Sequence, residues 1–427
     1  MSIHALDRRS FLACLGVSAA SGGVLAALAR ANAAEPAPND LIKSIRRSIP
    51  FPGRRKKGVA AWFHPRACVL PTADGPLAVM TMQRMSGSDY FHPVCWTTSS
   101  DLGRTWTEPV PIPGMERHSA EQIRPGLSEG VCDVVPEFHR RTNTVLAMGH
   151  NVYYEKGRLA RPQGPRWPVY SVRDAAGQWS PLGRLVWDNP RGTEIYTCGC
   201  SQRVTLDDGD LVIAISMTPL GRMDRMVTSV RCGFDGRTVA IKQVGNTLEL
   251  AKGRGLLEPS LTTFGGRFWM TIRAEDDHGY LATSDDGLHW SPIKAWAWDD
   301  GSPVVTSTTQ QHWLTHSDGL FLVYTLRADN NARVVRWRAP LFLAQVDTDR
   351  GCLLRETERV VFPLIGDGIK KPGGVALMGN FHTTNVTPGE SWVTVGENFR
   401  ANHWQGDMLL ARVGWNKPNR LVEGLGG

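Results

Sequence analysis

Leu256 to Trp290 reads LLEPSLTTFGGRFWMTIRAEDDHGYLATSDDGLHW, and its punctuation decides the fold. Three β-prone runs, 260–264, 267–273 and 280–283, are separated by the turn Gly265-Gly266 and by a loop rich in Asp. A further turn, Ser284-Asp285-Asp286-Gly287, leads into Trp290. Short apolar runs bounded by Gly and Asp turns are hairpin signals. A single meander of this size cannot bury both faces, so the sequence must repeat it.

The repeat is present. Residues 97–106, Thr-Thr-Ser-Ser-Asp-Leu-Gly-Arg-Thr-Trp, place Asp101, Gly103 and Trp106 at the spacing of Asp285, Gly287 and Trp290. An Asp carboxylate accepts bonds from turn N–H groups, Gly supplies a positive φ, and Trp covers the sheet edge. Gly177 and Trp179, following Asp174, form a degraded third copy.

Six strand–turn units follow along the chain, at about 58–112, 123–187, 194–250, 256–298, 303–362 and 375–417. Each is about 40–65 residues long, and no long helical periodicity interrupts them. The reading is an all-β, six-bladed β-propeller occupying 58–427 as one domain. Blades pack on their neighbours, so the length exceeds what one compact core usually manages.

The N-terminus reads as an address. Arg8-Arg9-Ser10-Phe11-Leu12 precedes an apolar run to Ala29 and a small-residue cleavage site at Ala31-Asn32-Ala33. This is similar to a twin-arginine signal peptide over 1–33, which implies a periplasmic or secreted protein with no stable membrane insertion after cleavage. The formal charge of +7 is concentrated there and in a basic arm over 34–57. Residues 1–57 hold ten Lys or Arg and three Asp or Glu; the rest balances at 38 against 38. The arm lacks interleaved aromatics, so it reads as solvated, with no nucleic-acid partner. Seven cysteines remain after Cys14, an odd number without a Cys-x-x-Cys pair, and they read as buried thiols. No metal constellation stands out, so neither a metal nor a cofactor is expected.

The paired turns match the Asp-box, and the chain resembles the sialidase-like β-propellers. The resemblance extends to a catalytic framework. Exo-sialidases grip the substrate carboxylate with three arginines from different blades. An Asp acid/base follows the first arginine by about 25 residues, and a Glu precedes the second by about 15. Here Asp89 follows Arg66 by 23 residues, Glu258 precedes Arg273 by 15, and Arg338 follows Arg273 by 65. The resemblance implies Asp89, Glu258 and His382 as catalytic groups. It implies Arg66, Arg273 and Arg338, with Tyr90, Gln311, His312 and Tyr324, as substrate-binding groups. A guanidinium offers two coplanar donors that suit a carboxylate.

The pattern is broken in two places. His64-Pro65-Arg66 replaces the Arg-Ile-Pro motif, and no tyrosine follows Tyr324, so the family's nucleophile is missing. His382 stands where it should fall. Three readings stay open. One is an exo-acting glycoside hydrolase on an acidic sugar, a sialoside or a uronide. The second is a propeller lyase in which His312, His382, Tyr196 or Tyr324 takes a proton from an Arg-neutralised uronate. The third is a glycan-binding propeller without chemistry. In each, the partner is an acidic glycan.

Overall fold

The computed structural model describes residues 40–54, 60–188, 191, 193–306, 309–399 and 404–422. The leader read over 1–33 lies outside them. Among the described residues the helices are single 3-10 turns, and none is long and apolar enough to cross a membrane.

Six antiparallel sheets succeed one another along the chain. Blade one is built from Ala61–Thr72, Gly75–Gly87, Tyr90–Ser99 and Val110–Pro111. Blade two is centred on Leu127–His139, Thr144–Glu155 and Pro168–Arg173, and blade three on Ile195–Thr197, Leu211–Thr218 and Met226–Phe234. Blade four is Leu257–Phe264, Arg267–Arg273, Gly279–Ser284 and Lys294–Ala295. Blade five holds His312–His316, Gly319–Tyr324 and Leu341–Asp347; blade six holds Phe381–Thr387, Glu390–Gly396 and Met408–Trp415. Ala61–Thr72, Leu127–His139, Leu257–Phe264, His312–His316 and Phe381–Thr387 line the axis, with the short Ile195–Thr197 innermost in blade three; Ala61–Thr72 touches the inner strands of blades two and six, and His312–His316 those of blades four and six.

Apolar clusters lie between blades. Trp62, Met80 and Trp392 join blades one and six; Leu146, Tyr170, Ile213 and Cys232 join two and three. Trp392 is fully buried, and truncating so large a core side chain costs about 3–5 kcal/mol.

The basic arm is corrected by the structure. Ile42–Phe51 is the outermost strand of blade six, paired antiparallel with Met408–Trp415 (Ile45 opposite Val413, Arg47 opposite Ala411). Arg47 donates to the carbonyls of Val360 and Val361 in blade five at 2.6 Å each. Arg46 reaches Glu390 at 3.3 Å, and Arg54 bridges both carboxylate oxygens of the buried Glu397 at 2.8 and 2.7 Å. The charges belong to an edge strand, where Lys, Arg and Pro discourage pairing with other chains. Residues 55–57 lie outside the described set.

The turns that suggested the repeat behave as expected, with one change. Asp101 accepts from the backbone N–H groups of Arg104 and Thr105 at 3.0 and 2.9 Å. In the second copy the accepting residue is Asp286, not Asp285. Asp286 takes Leu288 N and His289 N at 2.8 Å each, while Asp285 is exposed and meets only Arg267. The second turn is one residue tighter, so the carboxylate one place later reaches the N–H groups. Each tryptophan wedges against the preceding blade: Trp106 against Phe51 and Trp392, Trp290 by donating Nε1–H to Ser229 at 2.8 Å.

Candidate active site

Inner strands should alternate sides regularly, yet three break register at the same end of the axis. The breaks fall between Phe63 and Arg66, Cys132 and Val135, and Leu257 and Ser260. A non-glycine residue in the left-handed region sits in each: His64 (φ 52°), Asp133 (φ 59°) and Glu258 (φ 45°). Cys200 (φ 60°) holds the matching place in blade three. Each such conformation costs on the order of 1–3 kcal/mol, which the packed blade must supply. Bulges of this kind re-aim a side chain.

The re-aimed groups form two linked clusters. In the first, Arg66 Nη2 donates to Asp133 Oδ1 at 2.7 Å, and His64 Nε2 stands 3.5 Å from the same oxygen. Asn380 Nδ2 approaches His64 Nε2 at 2.6 Å. Burial alone would raise the Asp133 pKa. His64, Arg66 and His150 outweigh it and hold the carboxyl well below its usual range.

The second cluster centres on Glu258. Arg273 Nη1 donates to Glu258 Oε1 at 2.5 Å, and its Nη2 lies 3.7 Å from Glu275 Oε1; Arg254 also pairs with Glu275, its Nε at 2.7 Å. Burial, then the fields of Arg273 and Arg336, push the Arg338 guanidinium down to about 9, with Glu258 and Asp89 opposing. Arg225 is likewise pushed down to about 9 by burial, Arg166 and Arg254. Arg336 is lowered by burial, Arg273 and Arg254. Positive charge exceeds negative charge here: Arg225, Arg254, Arg273, Arg336 and Arg338 face Glu258, Glu275 and Asp89.

Asp89 lies in the two-residue turn between Gly75–Gly87 and Tyr90–Ser99, exposed, at φ 55°. That turn is at the same end of the propeller as the bulges. Turns 99–106 and 284–290 close the third and fourth strands of their blades, at the opposite end. Asp89 contributes to the field at both Arg338 and Arg254. Glu258 and Arg273 are in contact, and Asp89 and Arg338 lie at the same end of the axis, within reach of their charges.

The remaining predicted residues are held in more enclosed surroundings or by other partners. Arg66 is completely buried, with Nε and Nη1 unpartnered, and it serves Asp133 instead of an open clamp. Tyr324 is buried in blade five, bonded to Glu358 at 2.6 Å and packed on Trp298 and Phe342. Strand alternation turns it into the interblade core, away from the axis. His382 is 3% exposed and stacks edge-on with His312, centroids 4.9 Å apart. Burial, with His312 and Arg66 beside it, drives its pKa well below 6.5 and favours a neutral ring, where the expected acid–base role calls for a titrating one. His312 is pushed down to about 3 by burial and Arg66, and it accepts or donates through Nδ1 with Ser260 at 3.0 Å. Gln311 braces blades four and five by accepting from Thr271 at 2.6 Å. Tyr90 packs on Tyr154 under the Arg117 guanidinium.

Sequence reasoning missed Arg225, Arg254, Glu275 and Arg336 as site residues. Arg225 and Arg254 are joined by backbone, Arg225 N donating to Arg254 O at 2.8 Å, a pairing between loops that leaves no periodic trace. A cavity of about 380 Å³ opens at the other end of the axis, lined by Arg203, Thr262, Thr315 and Asn385 among others; it is remote from the bulges.

No protein-family model matches the chain, and no curated protein matches it. Solved structures do. The chain is similar to Trypanosoma rangeli sialidase, with TM-score 0.59 and 14% identity over 87% of this chain and 60% of that one. The complex of that sialidase with sialic acid gives TM-score 0.58 at 14% identity, over 87% and 59%. A protein of unknown function from Dyadobacter fermentans gives 0.58 at 14%, over 88% of this chain and all of that one. The chain spans about 60% of the length of the sialidase chain it matches. Fold and blade order define a sialidase-like, six-bladed β-propeller.

Proposed function

We propose that the protein is an exo-acting glycoside hydrolase whose substrate is an acidic sugar, a sialoside or a uronide. One observation carries this reading: Arg273 meets Glu258 at 2.5 Å in the blade-four bulge and Arg254 meets Glu275 at 2.7 Å beside it, while Arg336 and Arg338 lie close enough to Arg273 for their like charges to repel. An anion entering this space relieves that repulsion and gains charge-assisted bonds, each on the order of 1.5–3 kcal/mol. The sialidase of like fold has been solved with sialic acid, which supports the same substrate class.

In this reading Arg338 and Arg273 orient the sugar carboxylate. Asp89, on the exposed turn above the cluster, protonates the leaving oxygen. Glu258, held by Arg273, activates water for attack at the anomeric carbon. All seven tyrosines lie before residue 325, and Tyr324 is enclosed in blade five, so this reading assigns the attack to water instead of a tyrosine. The lyase alternative relied on His312, His382, Tyr196 or Tyr324 as base, and all four are buried.

The test is product analysis by mass after incubation with sialosides and with uronate-containing oligosaccharides. Hydrolysis adds the mass of water to the cleaved glycan. An unsaturated uronide absorbing in the near ultraviolet would replace this reading with elimination, and no turnover with retained binding would leave a lectin-like propeller.

A further inference from the structure

Beside the charge cluster, blade two carries a group of side chains that the glycosidase reading does not use. Cys132 and Asp133 are adjacent in sequence, and neighbours in a regular strand point to opposite faces. The bulge, with Asp133 at φ 59°, cancels that alternation and brings both toward His150, which stands opposite Cys132 in the ladder. Cys132 Sγ lies 3.3 Å from His150 Nε2, and Asp133 Oδ2 lies 3.9 Å from the same nitrogen. One atom from each residue falls within 4.8 Å of the other two. Cys132 and His150 are buried.

The direction of approach distinguishes the possible roles. In a nucleophilic relay, the carboxylate and the thiol take opposite nitrogens of the imidazole. Here both face Nε2, and Nδ1 has no partner. Three donors converging on one point is the arrangement of a metal site. At ordinary lengths, about 2.3 Å to sulfur and about 2.0 Å to nitrogen, a tetrahedral ion holds its S and N ligands about 3.5 Å apart. The observed 3.3 Å leaves little adjustment to make. Gly199 keeps the pocket this tight: a Cβ there would stand 1.9 Å from His150 Nδ1 and 2.8 Å from the Asp133 Cβ. Arg66 binds Asp133 Oδ1 and so leaves Oδ2 turned to His150, as an orienting partner does for a ligating carboxylate.

We propose that Cys132, Asp133 and His150 form a binding site for a thiophilic divalent cation of the zinc class. The donor set selects the ion: one thiolate and one imidazole suit zinc or cobalt, whereas calcium and magnesium take oxygen ligands. Three protein ligands leave a fourth position for water or another small ligand. Binding ionises the Cys132 thiol and releases its proton, which makes affinity fall as pH falls.

The experiment uses the purified full chain, stripped with a chelator and titrated with Co²⁺. The expected result is a thiolate-to-cobalt charge-transfer band in the near ultraviolet that saturates at one equivalent and is abolished by stoichiometric Zn²⁺. Cys132→Ser removes the band, and His150→Gln weakens binding at least tenfold. A folded wild-type chain that gives no thiolate band overturns the proposal, as does a band that survives in Cys132→Ser. Should either variant fail to fold, X-ray absorption of the wild-type protein with one Zn²⁺ decides. One sulfur ligand with nitrogen and oxygen ligands is expected, and two or more sulfurs point to other cysteines and overturn it.

Discussion

Arg273 and Glu258 meet at 2.5 Å because a strand has been bent to let them meet. Glu258 sits in the bulge that opens the inner strand of blade four, and Arg273 ends the strand that returns beside it, in register with Leu257. The guanidinium is 6% exposed and the carboxylate 35%, so the arginine is fixed while the acid keeps a free edge. That asymmetry suits a group that must both stay in place and handle a proton.

Glu258→Gln tests this directly. The amide keeps shape and can still meet Arg273, but it cannot take a proton from water. Loss of a positioned acid–base group lowers turnover by about 10²–10⁴-fold. We expect kcat on a fluorogenic sialoside or glucuronide to fall in that range with KM changed less than threefold or so. A variant with wild-type kcat would exclude Glu258 from the chemistry.

Asp89→Asn separates chemistry from binding. Asp89 is exposed on its turn and makes no hydrogen bond that holds the blade, so the change should leave the melting temperature unaltered. Turnover should be lost and binding of an acidic sugar, measured by calorimetry, retained. Equal loss of both would make Asp89 part of the binding surface alone.

Acid lability follows from the axial histidines. His64 is pushed down to about 4, by burial first, with Asp133 opposing, and His312 to about 3. Both are neutral in the fold, whereas the unfolded chain protonates near 6.5. Below that value the unfolded state binds more protons, so stability rises with pH. It is complete above about pH 6.5 and is lost progressively toward about pH 4 for His64 and about pH 3 for His312. Each contributes a slope of up to about 1.4 kcal/mol per pH unit. Urea unfolding at pH 7, 5.5 and 4.5 should show a falling midpoint; in His312→Gln the slope should be shallower. A flat profile would mean that these rings are protonated in the fold.

Arg54→Met probes ring closure. Glu397 is fully buried and has Arg54 as its bidentate partner, while Gly53 N and Arg54 N both donate to Asp407 Oδ1 at 2.7 Å. Removing one member of a buried ion pair costs about 3 kcal/mol. The melting temperature should fall by several degrees. Glu397→Met with Arg54→Met together should recover part of it, because the stranded charge is gone.

The fold was legible because turns are local. Gly265-Gly266, Ser284 to Gly287 and the repeat at Asp101 announce hairpins without reference to any distant residue. The boundaries of the six units fell near the observed blades for the same reason. Within the candidate site, spacing singles out Asp89, Glu258, Arg273 and Arg338. Spacing could not show that Arg66 is enclosed, since burial depends on what the neighbouring blade brings, here Asp133. His382 is singled out by its place along the chain and Tyr324 by its residue type, and neither says which side of a strand a residue faces. Arg46 and Arg47 misled in the opposite way: their charge suggested a free arm, although charge is also how an edge strand is protected. Cys132 and His150 are 18 residues apart and share no motif, so only their pairing across a bulged ladder reveals them.

Among the described residues Ile42–Phe51 is the first strand and Met408–Trp415, its partner, the last. Blade six therefore stays incomplete until both have been made. A ribosome-bound or truncated chain presents two unpaired ladder edges, one at each end, and such edges recruit other chains. Once shut, the chain is topologically close to a circle, with its natural break placed inside a blade instead of between two. Moving that break to the hairpin at Gly389, by linking the described ends and opening a new start there, should return the same ring with a different seam. The seam would then set which edge strand unzips first when the fold is lost, as it sets which edges stand unpaired while the fold is made.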